Sequence, residues 1–463
     1  MTGERRTEPL PARGELVLPE RELVPAVGGQ RRVPAPDPVA RDYLLLALRL
    51  DQHVPGLVDG YYGPRDLKAQ VDLENLRPPA RLAEDAAALR ERVAAEVAEP
   101  DRRRWLDRQL VALETQAARL AGAAIPYVDE AIRCFDAPPT RLPPETYAEV
   151  RRELDGLLPG RGALLPRLEA WDARFVIPLD RVRAVVDALL PPIRAASLAH
   201  VPAPEGEALQ VTLVTDQPWS GYNWYDGGLR SRVDLNVDLP IRPAALIDTL
   251  THETYPGHHL EHAWKEERLV MELGRLEGTV LLINTPECFI SEGLAELGRR
   301  FTLDQPTRVA LLRTACVEAG LPASDDDLAR QLAISASLHR LRGADGDAAL
   351  LRHAEGRSRA DLLAFLVEEA LSSPERAEKR LAFIEHPLWR TYVFSYAGGE
   401  ALLGAWCEAA GSEAGARGRF LRLLTEQLTP SGIREELEAE PREDSSPLNE
   451  RRGTHRRPSA RLR

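Results

Sequence analysis

Residues 252–262 read His252-Glu253-Thr254-Tyr255-Pro256-Gly257-His258-His259-Leu260-Glu261-His262. Four of the chain's ten histidines and two carboxylates fall within this one stretch, and nothing else in the sequence concentrates chemistry this way. Neutral imidazole is the commonest side-chain ligand for zinc, and a carboxylate beside such a metal is a ready general base. The chemistry these residue types point to is metal-assisted hydrolysis.

Two ligand sets can be drawn from the cluster. The HExxH rule puts histidines at i and i+4 on one helical face, with the glutamate flanking the metal. Here His252 would need its partner at Pro256, and the next histidine is His258, at i+6. On an ideal helix six residues turn by ~240° and rise ~9 Å, so His252 and His258 cannot share an ion from one regular helix. Pro256 and Gly257 can break that helix and swing His258 back. The second set is the inverted motif HxxEH, with His258 and His262 at i, i+4 and Glu261 as base. Pro256 would sit comfortably near that helix's start. Simple solvation of histidines on a polar face is the bland reading, and spacing alone leaves all three open.

A further pair lies downstream, in Glu287-Cys288-Phe289-Ile290-Ser291-Glu292-Gly293-Leu294-Ala295-Glu296. Glu292 and Glu296 are at i, i+4 and share a face. Glutamate-assisted zinc hydrolases take their third ligand from a second helix, and a carboxylate one turn on can hold a ligand histidine by its other nitrogen. Glu292 as ligand and Glu296 as that holding carboxylate fit this layout.

Three ordered motifs, HETYPGHH, SEGLAELG and Phe394-Ser395-Tyr396-Ala397-Gly398-Gly399, resemble the bacterial family named domain of unknown function 885. Its pattern is HExxPGHH, then EGxA, then a late SYxxG. Val58-Asp59-Gly60-Tyr61-Tyr62-Gly63-Pro64 and Asp234-Leu235-Asn236-Val237-Asp238-Leu239-Pro240 are similar to the family as well, so the resemblance spans roughly residues 38–435. It implies a mostly helical, zinc-metallopeptidase-like protein related to the gluzincins. His252, His258 and Glu292 are then the zinc ligands and Glu253 the base. The family often carries glutamine where this chain has Glu261, which speaks against the inverted set. Leu294 replaces a tryptophan common after EG, a change in packing.

The implied reaction is hydrolysis of a peptide, or of a small amide substrate, by metal-activated water. Glu253 takes the water's proton and passes it to the leaving amine. Tyr396 is the candidate oxyanion donor. Arg390, His386 and Tyr392 lie close in sequence and are candidates for a substrate carboxylate, although each by itself fits a structural role. The strand around Ser231–Asn236, with Asn236 at its end, is a candidate edge for pairing an extended peptide. Two other classes share these features: a zinc hydrolase of a non-peptide amide or ester, and a metal-free binding or scaffold protein.

The elements that must position these residues are mostly helical. Alanine, leucine, glutamate and arginine dominate and favour helix. Tyr43, Leu44, Leu46, Ala47 and Leu50 form an apolar stripe that stops at His53-Val54-Pro55-Gly56. Asp59-Gly60-Tyr61-Tyr62-Gly63-Pro64 reads as a turn. Further helices are expected over Leu82–Val97, Trp105–Leu120, Thr146–Leu158, Leu179–Ser197 and Leu246–Thr254. Residues 209–215 and 231–237 alternate as strands do, around an aromatic, glycine-rich loop from Trp219 to Gly228. The expected fold is a mostly α metallopeptidase-like one, with a small antiparallel β-sheet beside the metal-site helix.

The chain of 463 residues is expected to divide into a disordered or loosely attached segment 1–36, a helical region 37–200, a metallopeptidase-like catalytic region 201–440 and a disordered tail 441–463. That tail holds Arg451, Arg452, Arg456, Arg457, Arg461 and Arg463 without an acid and reads as a solvated end. A net charge of −12 argues against a general nucleic-acid surface. Cys134, Cys288, Cys316 and Cys407 lack metal or disulfide spacing, so buried free thiols are expected. No apolar signal region and no run of about eighteen apolar residues occurs, so the expectation is a cytoplasmic protein without a membrane partner. Nothing in the pattern sets an oligomeric state.

Overall fold

The computed structural model describes residues 35–439, residue 218 excepted. The expectations for the first 34 residues and for the tail lie outside the described residues. The protein is mostly α-helical. The anticipated helices occur as Pro79–Glu96, Pro100–Leu120, Pro144–Leu157, Leu179–Leu198 and Pro243–Glu253, within a few residues of the expected bounds. Proline at the first helical position starts four of these five, where its missing N–H costs nothing and its fixed φ suits the helix.

The apolar stripe at Tyr43 becomes the helix Pro38–Asp51, capped by the Asp37 carboxylate. It buries more than one face, because Leu45 and Leu48 are covered too. Helices Pro79–Glu96 and Pro100–Leu120 pack on it, as do strands β1 (Val58–Tyr61) and β5 (Val280–Leu282). Each buried leucine stabilises the fold by roughly 1.5–3 kcal/mol relative to exposure. Of the turn expected at 59–64, residues 59–61 belong instead to β1, paired antiparallel with β5. Tyr61 and Tyr62 donate hydrogen bonds to the carbonyls of Pro64 and Gly278, and the Tyr62 ring packs edge-on against Tyr225.

A second sheet lies beside the histidine cluster, in the order β2 (Ala208–Val214), β4 (Arg230–Asn236), β3 (Gly221–Tyr225). β3 and β4 pair antiparallel, but β2 and β4 run parallel. The reason lies in the segment read as a loop: its residues 221–225 form β3, so the chain reverses twice between β2 and β4. The second reversal turns at Gly227 and Gly228, both at positive φ (76° and 65°), the region tight hairpin turns demand. β4 is thus the central strand.

Three large apolar clusters fill most of the interior described. One joins helix Leu179–Leu198, the β2–β4–β3 sheet, the histidine segment and Trp406. The second surrounds helix Pro38–Asp51 and reaches Leu282, Cys288 and Tyr392. The third joins residues 127–175 to 334–394. The histidine segment and helix Pro286–Thr302 lie where the first two meet. All four cysteines are buried and free. Among the described residues no helix is long and apolar enough to cross a membrane.

Candidate metal centre

The HETYPGHH segment is two helices separated by a sharp break. The first, Pro243–Glu253, ends on the His252-Glu253 pair; the second, His258–Lys265, begins on His258. Between them Thr254 leaves helical geometry, the Tyr255–Pro256 peptide is cis, and Gly257 N–H returns to the carbonyl of Thr251 at 3.1 Å. The i+6 spacing is resolved by this break. His252 and His258 sit on different helices, and their Nε2 atoms lie 3.1 Å apart.

Glu292 comes to the same point from the middle of helix Pro286–Thr302. Its Oε2 is 3.4 Å from His252 Nε2 and its Oε1 3.5 Å from His258 Nε2. One ligand atom from each of the three residues lies within 4.8 Å of the others. The opposite sides of both rings face carboxylates. His252 Nδ1 is 3.3 Å from Glu296 Oε1, and His258 Nδ1 is 3.4 Å from Glu261 Oε2 and 3.2 Å from Ser291 Oγ. A carboxylate at Nδ1 assigns the ring proton there and leaves Nε2 as a lone pair. With both rings neutral in this tautomer, two lone pairs face each other across 3.1 Å, and the buried Glu292 Oε2 beside them has no hydrogen-bond donor.

Two such imidazoles and the Glu292 carboxylate converging on one point fit a cation, and two imidazoles with one carboxylate are a common catalytic zinc set. The electrostatics agree. Burial opposes a charge on His258, but Glu292, Glu261 and Glu253 more than offset it, so the pocket draws positive charge. Burial would also raise the Glu292 carboxyl, yet His258 and His252 hold it well below the usual range.

No family model matches this chain, and no curated protein does. Among solved structures it is similar to one titled as the "putative lipoprotein from Colwellia psychrerythraea". The TM-score there is 0.49 with 14% identity, over 78% of this chain and 67% of that one. It is also similar to "a putative lipoprotein of unknown function from Shewanella oneidensis", with TM-score 0.46 and 13% identity over 80% and 76% of the two chains.

Glu253 follows His252 at the helix end. Its backbone carbonyl accepts from Asn223 Nδ2 at 2.7 Å, and Gly221 of β3 lies against its side chain. Among the described residues its carboxylate has no hydrogen-bond donor. Burial first, and then the charge on Glu292, raise its proton affinity, while the two histidines pull it back. Tyr396 lies on helix Val393–Glu408 with its ring 6.2 Å from that of His252. Burial and Glu292 push its phenol up, so it keeps its proton and can donate.

The helices carrying Glu292 and Tyr396 meet at Gly293 and Gly399. A Cβ on Gly293 would lie 2.6 Å from the Gly399 Cα, so only glycines permit this approach. The glycines of SEGLAELG and SYAGG thus explain themselves as a helix contact that brings Tyr396 beside Glu292.

Glu261 is committed elsewhere. Lys265 Nζ donates to its Oε1 at 2.6 Å and Ser291 Oγ to its Oε2 at 2.6 Å. Burial would raise its carboxyl, but Lys265 and His258 hold it well below the usual range. His258, Glu261 and His262 also form a compact group, but Lys265 already supplies a cation to it. His262 stacks on His258 with its Nδ1 unpartnered; burial, with the charges of His258 and Lys265, pushes it down to about 3. His259 bridges Ser231 and Glu207, each at 2.8 Å, and ties the second helix to the sheet. A third acidic cluster, Glu296-His339-Glu400, already has guanidinium partners in Arg342 and Arg299.

The three substrate candidates have other partners. Asn236 Nδ2 donates to the carbonyl of Gln217, and its Oδ1 accepts from Asp238 N–H, which closes a loop. Arg390 pairs with Glu130 and covers the Tyr127 ring. His386 Nδ1 accepts from Leu388 N–H. Residues that sequence reasoning missed include Ser291, Lys265, Asn223 and Arg342. Tyr392, weighed as a carboxylate binder, instead donates to Glu292 Oε1 at 2.6 Å. Ser291 stands in the SEGLAELG motif and Lys265 at i+4 from Glu261, whereas no local motif announces Asn223 or Arg342.

Proposed function

We propose that this protein is a zinc-dependent peptidase in which His252, His258 and Glu292 hold the metal and Glu253 is the general base. The observation that carries the reading is the pair of facing imidazole nitrogens, 3.1 Å apart beside a carboxylate oxygen with no donor. The resemblance to domain of unknown function 885 assigns the same roles.

Zinc bound there would acidify a water and polarise the scissile carbonyl. The chain's own groups do the rest. Glu253, with its carboxylate free of donors, takes the water's proton and delivers it to the leaving amine. Tyr396 donates its phenolic hydrogen to the oxygen that gains charge. Tyr392 fixes one oxygen of Glu292, while Glu296 and Glu261 hold the far nitrogens of the two histidines.

The strand suited to an extended substrate is β3 and not β4. β4 has neighbours on both sides, whereas β3 is an edge strand. Asn236 N–H bonds to Ser220 O and Asp226 N–H to Arg230 O. That ladder phase turns the backbone groups of Gly221 and Asn223 toward the free side. Gly221 also lies against Glu253, so a peptide added along β3 would pass the base.

The test joins elemental analysis to one substitution. Purified without chelators, the chain should carry about one zinc, and Glu253→Gln should keep it while hydrolysis falls by about 10²–10⁴-fold. A metal-free preparation would sink the reading. Turnover of non-peptide amides or esters only, across a substrate panel, would move it to the neighbouring hydrolase class.

A further inference from the structure

Next to the metal centre lies a cavity of about 590 Å³ whose wall includes Tyr396 and four arginines: Arg242, Arg342, Arg376 and Arg380. Tyr396 belongs to both places, since its ring also neighbours His252. A second link runs through Arg342, which pairs with Glu296, the carboxylate at His252 Nδ1. The cavity therefore adjoins the candidate reaction centre.

Three of the four guanidinium groups are committed. Arg242 pairs with Asp172, Arg380 with Asp345 at 2.7 Å, and Arg342 with Glu296. Arg376 has no acidic partner among the described residues, and the remaining acid of the wall, Glu169, makes no ion pair with it. Burial disfavours the charge on Arg242, and the like charge of Arg376 adds to that cost. Arg242 and Arg376 thus share one cavity wall, and only Arg242 has a carboxylate partner there. An arginine fork left open is suited to an incoming carboxylate, which it can bind by two parallel hydrogen bonds. The wall also contains Leu371, a non-glycine residue at φ 51°. Backbone held in this disfavoured region gathers at ligand sites.

We propose that this cavity is a substrate subsite for a carboxylate, with Arg376 as its recognising residue. Building on the peptidase reading, it makes the preferred substrates peptides that present an anionic group beside the scissile bond. The carboxylate comes either from a free C-terminus or from an acidic side chain.

Calorimetric binding of short peptides to zinc-loaded full-length chain tests this, in the Glu253→Gln background so that nothing is turned over. The probes are tetra-alanine as free acid, tetra-alanine amide, and the same amide with a terminal glutamate. The free acid should bind about tenfold tighter than the alanine amide, the scale of a charge-assisted pair. Recovery of that affinity by the glutamyl amide would name the side chain as a sufficient source. Arg376→Gln should reduce the preference to less than about threefold, with Arg376→Lys in between. Arg376 is exposed and unpaired, so the substitutions leave the fold alone. Equal affinity for all three probes, no binding of any, or a preference that survives Arg376→Gln would overturn the proposal. The peptidase reading stands or falls separately, on Glu253-dependent hydrolysis.

Discussion

A Cβ on Gly257 would lie 1.8 Å from the carbonyl oxygen of His252. The break that brings the two histidines together is thus built on a missing side chain. The obstacle to any larger residue there is space. The contact is with backbone of the ligand residue itself, and no side chain can move aside to relieve it.

Gly257→Ala should therefore push the two site helices apart at their junction. We expect zinc content to fall well below one per chain and stability to drop by about 1–3 kcal/mol, the usual cost of overpacking. Gly156→Ala is the control: nothing lies within 4 Å of its added methyl, and alanine is the better helix former. Elemental analysis and urea midpoints of the two variants check this. Full zinc occupancy in Gly257→Ala would refute the junction argument.

Gly399→Ala should act on the other half of the centre. Its Cβ would meet Phe289 O at 2.6 Å and Gly293 Cα at 2.7 Å, both backbone atoms of the facing helix. Parting these helices draws Tyr392 and Tyr396 away from Glu292. Tyr396→Phe removes only the donor, and a lost oxyanion donor costs about 10²–10³-fold in kcat. Gly399→Ala should match that loss and add a weaker hold on zinc, because Tyr392 no longer fixes Glu292. A variant with unchanged kcat would show that the helix contact does not position the tyrosines.

Glu253 and Glu261 separate the two ways of reading the histidines. Glu253 faces no donor, while Glu261 is saturated by Lys265 and Ser291. Glu261→Gln should weaken zinc affinity by about 10–100-fold, typical of groups that orient ligands, and leave turnover at saturating zinc near normal. Glu253→Gln should do the reverse. If only Glu261→Gln abolished turnover in the presence of excess zinc, the base would be Glu261 and the ligands His258 and His262.

What the sequence disclosed follows from the range of each interaction. Periodicity and prolines are local, so helices such as Pro38–Asp51 and Leu179–Leu198 were legible. The residues His252, His258 and Glu292 stood out by type, but spacing left two histidine sets open, because the backbone path through Pro256-Gly257 is not a helix. β3 was hidden in a run of aromatics and glycines whose strand character comes only from pairing with β4. Arg342, Tyr392 and Asn223 were invisible as site residues. Each meets its partner across 30 to 100 residues of chain, as Tyr392 meets Glu292, and one isolated arginine or tyrosine looks like any other.

The sheet that carries β3 is tied to the second site helix through Glu207, which adjoins β2 and pairs with His259. Glu207 accepts from Tyr255 at 2.6 Å and pairs with His259 at 2.8 Å and with Arg194. Burial would raise its carboxyl, but these partners more than offset burial and hold it at about 2, against an ordinary 4.5. A depressed carboxyl stabilises the fold fully above its unfolded value, and that contribution disappears as pH falls through the folded one. Glu207→Gln keeps the shape without the charge. The gap in urea midpoint between wild type and this variant should be constant from about pH 7 to 5 and close between about pH 4.5 and 2. A gap that stays the same across that acid range would mean that Glu207 contributes by packing, and that its charge does not anchor His259 to the sheet.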